Sequence, residues 1–355
     1  MNQIPLTKLA YKTLQQGKSL AGLAHKGVST KLMEIFSPGS IPNTENVTRD
    51  LLIELRNSID DLEKTDWQEA VEGLYPKRQL FKAPWLEWFA KYPLIWLDMP
   101  STWERRKRRN VRDIPKSINK EKYPDYYLQN FHHQTDGYLS DHSAEIYDMQ
   151  VEILFNGTAD AMRRRVLSPL NKGISKFKDK NTSEIKILDV ATGTGRTLEQ
   201  IRTAFPSVEL FGLDLSSAYL KQASKSLNNA DGQLVQLIKG NAECMPFSNS
   251  SFQVITCVFL FHELPKEARQ NVINDCFRLI EPGGTLVIAD SIQFRDSPHF
   301  APVMDNFRKF FHEPYYLDYI KDDIDLRLKN AGFTNIEGKS HFMTRVWSAY
   351  KPKTA

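Results

Sequence analysis

From residue 185 onward, short apolar runs alternate with stretches of helical periodicity, and this alternation limits the fold more than any other feature. The runs cover residues 185–190, 210–213, 234–239, 254–259 and 286–289. Between them, Leu198, Ile201 and Phe205 recur at helical spacing, as do Leu220, Ala223 and Leu227, and Ala268, Val272, Cys276 and Leu279. Strands that are apolar throughout are buried on both faces, so the pattern predicts a mostly parallel sheet covered by helices on each side. Pro265 and Gly332 are well placed to open one helix and close another. Ile336 and residues 342–350 supply two final strands.

The first third of the chain reads differently. Residues 1–120 are polar, with Leu51, Leu55, Ile59 and Leu62 on one helical stripe and no strand alternation. Pro38, Pro42, Pro93, Pro100 and Pro115 are expected to interrupt its helices. A segment rich in polar aromatics follows, from Tyr123 to Tyr138. A single helix is then expected over 143–167, with Ile146, Met149, Ile153 and Leu154 on its apolar side. The organisation read from these shifts is a helical extension over 1–120, a lid or connection over 121–172 and an α/β domain over 173–355.

Composition excludes several classes. A formal charge of +4 and a pI of about 8.7 are too mild to imply nucleic acid. Cys244, Cys257 and Cys276 follow no metal-ligand spacing and form no disulfide framework, which suits a reducing, cytoplasmic setting. No apolar run reaches the ~18 residues of a membrane span. The first 33 residues hold five lysines and no acid. Both a transit peptide for organellar import and a short amphipathic helix fit that pattern.

The segment Asp189-Val-Ala191-Thr-Gly193-Thr-Gly195-Arg-Thr-Leu198 follows a predicted strand and opens a helix. Small residues let such a loop turn sharply and approach a ligand closely. A dinucleotide fingerprint wants a third glycine three positions on, where Leu198 stands. An acid at the strand end, Asp189, suits a cationic ligand better than a pyrophosphate. The loop therefore fits the aminopropionyl group and sulfonium of S-adenosylmethionine. Asp214, with Leu215 beside it, ends the second strand where an acid can accept both ribose hydroxyls. Asn241 and Ala242 end the third strand, where an adenine edge would lie. His262 and Glu263 end the fourth, and Asp290 ends the fifth after a Pro282-Gly283-Gly284 turn.

The stretch 185–290 resembles class I methyltransferases, and among them the ubiquinone/menaquinone biosynthesis group. The shared motifs are Asp-x-Ala-x-Gly-Thr-Gly at 189–195, Asn-Ala-Glu-x-x-Pro-Phe at 241–247 and the Pro-Gly-Gly turn. The resemblance covers residues 150–350. It implies a Rossmann-like sheet of seven strands whose last runs antiparallel, and S-adenosylmethionine as cofactor. It places Asp189, Gly193 and Gly195 at the methionine part, Asp214 at the ribose, and Asn241 with Ala242 at the adenine. Ala191 and Leu215 complete the cofactor-binding set. Two departures stand out: Arg196 where these enzymes usually carry Asp, and the 120-residue extension.

Methyl transfer asks the protein mainly to position and desolvate, with a base only where the acceptor must lose a proton. His262 is the candidate catalytic residue, since an imidazole with an ordinary pKa near 6.5 suits a base near neutrality. It reads equally as a histidine that shapes the pocket floor. Candidate acceptor contacts are Glu263, Asp290, His132, His133 and Tyr138. His142 lies nearby, but the three histidines lack metal-ligand spacing and no metal is expected. The aromatics between 292 and 320 suit an apolar or aromatic acceptor, and such an insertion is often a lid. The expected activity is C- or O-methylation of a small quinone-like or lipid-like molecule.

Four of the six tryptophans fall in 85–103, and residues 104–122 hold nine Lys or Arg against three acids. Peripheral membrane contact through 85–122 and a helical core with a solvated basic face both fit. Two other functions stay open: an RNA methyltransferase, and a non-catalytic S-adenosylmethionine-binding protein. The fourth strand ends in Phe-Leu-Phe-His-Glu-Leu. It lacks the Asn/Asp-Pro-Pro-Tyr/Phe sequence of amino-methylating nucleic-acid enzymes, so nucleic acid is not the expected partner. The oligomeric state is not legible.

Overall fold

A computed structural model describes residues 5–228 and 232–353. The chain falls into two compact units, one of residues 1–162 with 305–312, the other of residues 163–304 with 313–355.

The first unit is helical: α1 (Leu6–Phe36), α2 (Arg49–Val71), α3 (Trp85–Arg108) and α4 (Asp141–Leu154). Thr48 caps α2 by accepting from the Leu51 N–H, and the expected stripe turns Leu51 and Leu62 inward. Tyr11 and Tyr75 each donate a hydroxyl to Asp66, at 2.8 and 2.7 Å, so this fully buried carboxylate is satisfied from inside the core. Trp88, Ile95, Ile146 and Met149 form a second cluster between α3 and α4.

Two local expectations are overturned here. Pro93 and Pro100 lie inside α3 and do not end it. A proline in a helix interior costs ~3 kcal/mol, and the burial of Trp88 and Ile95 against α4 offsets that cost. The single helix expected over 143–167 is broken after α4. Asn156 and Gly157 both adopt left-handed backbone, with φ of 52° and 82°, which ends the helix. The chain restarts as α5 (Ala159–Arg164) and α6 (Leu167–Ile174).

The second unit is built on a seven-stranded sheet. Its elements run β1 (Lys186–Val190), α7 (Arg196–Ala204), β2 (Glu209–Asp214), α8 (Ser217–Leu227), β3 (Gln236–Lys239), β4 (Phe252–Val258), α9 (Lys266–Leu279) and β5 (Ile280–Ser291). α11 (Tyr316–Tyr319), α12 (Ile324–Asn330), β6 (Thr334–His341) and β7 (Thr344–Tyr350) complete it, whereas most of α10 (Ala301–Phe310) belongs to the first unit. The strand order is β3-β2-β1-β4-β5-β7-β6. β1 to β5 pair in parallel and β7 runs antiparallel to β5, as the Rossmann-like reading expected. β3 starts two residues later than the apolar run at 234, and β5 starts six earlier than the run at 286.

This topology sets the site. From β1 the chain moves outward through β2 to β3, then crosses back to β4 on the other side of β1. The connections leaving β1 and β4 therefore diverge, and a crevice opens at the carboxyl ends of the two strands. Asp189, Asp214, His262 and Asp290 all fall at strand ends on that edge.

Candidate cofactor site and acid–imidazole pair

After β1 the backbone turns through left-handed conformations at Ala191 (φ 56°), Gly193 (φ 56°) and Gly195 (φ 81°). The two glycines are needed for different reasons. A Cβ on Gly193 would meet only the Tyr219 ring, at 4.0 Å, so the space over this part of the loop is open. A Cβ on Gly195 would meet the Ala223 Cβ at 3.1 Å, because the start of α7 lies directly on α8. Leu198, in place of a third glycine, is fully buried, and a Cβ on Gly212 would approach its Cδ1 to 2.6 Å. The missing side chain on β2 thus makes room for the leucine on α7. Gly195→Val is expected to destabilise the fold by about 2–4 kcal/mol, summing left-handed strain and overpacking. A lowered urea midpoint with unchanged slope would show it.

Asp189 is 1% exposed. Its carboxylate accepts from the Thr192 hydroxyl at 2.8 Å and from the Thr256 hydroxyl at 2.7 Å. Burial pushes its pKa up to about 6 against the pull of those two hydroxyls. The side chain therefore holds the loop to the sheet, tying β1 to β4. Asp214 accepts the Gly193 N–H on one oxygen and the Ser216 N–H on the other, each at 2.8 Å. Burial raises this pKa to about 6 as well, opposed by those backbone donors and assisted by the charge of Glu263. The Leu215 N–H also acts on this carboxylate, which has about four acceptor sites, so Asp214 keeps acceptor capacity for a further donor. Asn241 accepts the Glu243 N–H on its side-chain oxygen at 3.0 Å. Asn241, Ala242 and Leu215 are all half-buried.

This donor set fits S-adenosylmethionine. Asp214 has acceptor capacity for a ribose hydroxyl, the open face at Gly193 would leave room for the methionine part, and the half-buried Asn241–Ala242 turn would offer its backbone to an adenine edge. Arg196, the departure noted above, is 7% exposed and ion-paired to Glu199 at 2.7 Å within α7. Glu199 thereby neutralises a cation at a helix N-terminus, where positive charge is otherwise unfavourable.

His262 and Asp290 stand at the ends of the neighbouring strands β4 and β5. His262 Nδ1 lies 2.7 Å from Asp290 Oδ1. Asp290 is fully buried and also accepts the Phe261 and Ser291 N–H groups, each at 2.7 Å. With both oxygens engaged, Asp290 holds the imidazole in place. Burial alone would lower the imidazole pKa, but the charge and hydrogen bond of Asp290, with Glu263 and Glu313, outweigh it and hold His262 at about 9. The expectation of an ordinary pKa is thus corrected. At neutral pH the ring carries both protons. The rings of Tyr316 and Tyr319 flank it, each with its centroid 6.2 Å away.

Residues 187–284 match a protein-family model described as a methyltransferase domain. Over this span and in its strand order, the sheet unit is similar to class I S-adenosylmethionine-dependent methyltransferases. A demethylmenaquinone methyltransferase of Thermotoga maritima is 34% identical over 152 residues, 43% of this chain and 59% of its own length. The match thus spans less than two thirds of that relative. A second protein of the same name, from a Geobacillus species, is 29% identical over 175 residues, covering 44% of this chain and 74% of its own. Among solved structures, a SAM dependent methyltransferase from Aquifex aeolicus is similar over 53% of this chain and 92% of its own, at 19% identity and a TM-score of 0.39.

The sheet unit contains Asp189, Ala191, Gly193, Gly195, Asp214, Leu215, Asn241, Ala242, His262, Glu263 and Asp290. His132, His133 and Tyr138 belong to the helical unit. There His133 is 7% exposed, and burial, with Arg106, His312, His132 and Arg105, pushes its pKa down to about 3. Tyr138 is 8% exposed and stacked on Phe131 at 5.6 Å. Both are packed side chains of that unit's core. His132, half-buried beside the rings of Phe307 and Phe311, lines a cavity.

Sequence reasoning passed over three residues of the domain. Thr256 fixes Asp189 from the next strand. Phe259 adopts φ 58°, rare for so bulky a residue, where the chain leaves β4. Arg269 is fully buried and donates Nε to the Phe261 and Leu264 carbonyls, at 3.1 and 3.0 Å. Its guanidinium also pairs with Asp318 and Asp322, so it fastens the His262 turn to the segment carrying α11. An arginine between Ala268 and Val272, on the inward side of a helix, was the available signal.

Proposed function

We propose that the chain transfers a methyl group from S-adenosylmethionine to a phenol- or quinol-like acceptor, at carbon or oxygen. One observation carries this reading: an imidazolium held by a buried carboxylate at the end of β4, the strand beside the cofactor loop. The name shared by the two bacterial relatives supports the same acceptor class. The cofactor, when bound, supplies an activated methyl on a sulfonium, so the protein need not generate a strong electrophile.

The residues divide the remaining work. Asp214, Gly193 and the Asn241–Ala242 turn fix the donor. Asp290 accepts the hydrogen bond from the Nδ1–H of His262 and leaves its Nε2–H directed away from that carboxylate. A cationic donor of this kind stabilises an acceptor oxygen as its anion, which is the nucleophilic form of a phenol or quinol. His262 acts here as an electrostatic donor and not as a free base.

The two roles differ in pH dependence. The raised pKa means that the donor form persists through neutrality and is lost as pH rises through about 9. The rate constant kcat is expected to fall above that pH, measured with a quinol acceptor. A general base would make kcat rise through the same range, which would overturn the role given to His262. His262→Gln is expected to lower kcat about 100-fold with cofactor affinity unchanged.

A further inference from the structure

The helical unit contains an apolar groove of about 1260 Å³ that the methyl-transfer site does not use. One wall is α1, where Ala10, Gly17 and Ala21 present little more than backbone. The facing wall is α3, with Trp85, Phe89, Tyr92 and Trp96, and Met149 of α4 contributes to the floor. The groove exists because small residues face large aromatics without filling the gap. A Cβ built on Gly17 would meet nothing within 4 Å.

The groove leads toward a smaller cavity of about 360 Å³, with His25 and Ile153 lining both. The smaller cavity is charged. Lys26 and Arg106 line it, with His132 and Asp98. Asp98 is engaged by the hydroxyls of Thr102 and Thr135. Lys26 donates to a backbone carbonyl, that of Leu154, at 3.1 Å. Arg106 Nε is buried and has no hydrogen-bond partner among the described residues. Its guanidinium lies over the Phe310 ring at 5.8 Å and touches the Met33 sulfur. Two largely desolvated cations at one end of a long apolar channel form a pattern complementary to an amphiphile with an anionic head.

We propose that the helical unit binds one molecule of an anionic lipid, its hydrocarbon chain in the α1–α3 groove and its head at Lys26 and Arg106. This site lies within the helical unit and does not depend on methyl transfer. The basic run reinforces it: Arg105 and Arg106 are turned inward, whereas Lys107, Arg108 and Arg109 are exposed.

Calorimetric titration of the full chain with octanoate, laurate and palmitate, below their micelle concentrations, tests the proposal. Palmitate is expected to bind saturably at one per chain, with affinity falling about tenfold for each two carbons removed. Gly17→Phe is expected to weaken palmitate at least tenfold while keeping or raising the melting temperature, because the new ring enters open space. Lys26→Met is expected to weaken palmitate several-fold and leave hexadecanol unaffected. Leu86→Ser is a control for general stickiness, since Leu86 is 88% exposed on α3 and outside the groove. It is expected to bind as wild type. Absence of saturable binding, affinity independent of chain length, full binding by Gly17→Phe, or an equal loss in Leu86→Ser would each overturn the site. So would binding to anionic vesicles alone. S-adenosylhomocysteine titrated into the same samples separates this failure from failure of the cofactor site.

Discussion

Asp214→Ala is expected to weaken S-adenosylhomocysteine binding about a hundredfold. The substitution removes the carboxylate assigned to the ribose in the proposed function, and hydrogen bonds to a charged group contribute about 1.5–3 kcal/mol each. Water entering the vacated space returns part of that, and the net of about 2.7 kcal/mol is two factors of ten. The loop also loosens, because the Gly193 and Ser216 N–H groups lose their partner. A pH series gives an independent check. Hydroxyl donors need the ionised carboxylate, and burial holds the Asp214 pKa at about 6. Wild-type affinity should therefore be level above that pH and fall about tenfold per unit below it. The mutant should lose most of this slope. Any remainder reports Asp189, whose buried carboxyl titrates near the same pH.

Arg269→Ala is expected to cost about 3–5 kcal/mol of stability, the range for breaking a buried charge pair from one side. The guanidinium is wholly enclosed, and its removal strands the carbonyls of Phe261 and Leu264 together with part of the Asp322 charge. Urea denaturation would register the loss as a lower midpoint. The change should be smaller in Arg269→Lys, which keeps the charge but cannot bridge two carbonyls and two carboxylates at once. A loss under about 1 kcal/mol in the alanine variant would show that the His262 turn is held by something else. His262 activity should decline alongside stability, since the same side chain fixes the turn on which the imidazole sits.

The sheet was legible in the sequence because its strands are buried on both faces. That burial requires continuous apolar runs, and the helices between them keep a periodic apolar side. The cofactor loop was legible for a related reason. Left-handed backbone at Gly193 and Gly195 favours glycine, so the conformation leaves a mark in the residue types. Ala191 and Phe259 adopt comparable backbone without such a residue, and nothing in the sequence marks them. Pro93 and Pro100 misled in the opposite direction, because the packing of α3 on α4 overrides a local rule. The state of His262 was out of reach for a different reason. An imidazole pKa depends on which carboxylates surround it, and Asp290 lies 28 positions away on another strand. His133 and Tyr138 looked like acceptor contacts because polar aromatics are common in both pockets and packed connections. Only burial separates the two cases.

A sheet unit that cradles S-adenosylmethionine is tested by one calorimetric titration of the wild-type chain with S-adenosylhomocysteine and, separately, with NAD. A single micromolar site for S-adenosylhomocysteine with no heat from NAD is the expected result. A well-folded protein that binds NAD, or that shows no S-adenosylhomocysteine binding at millimolar concentration, would contradict it.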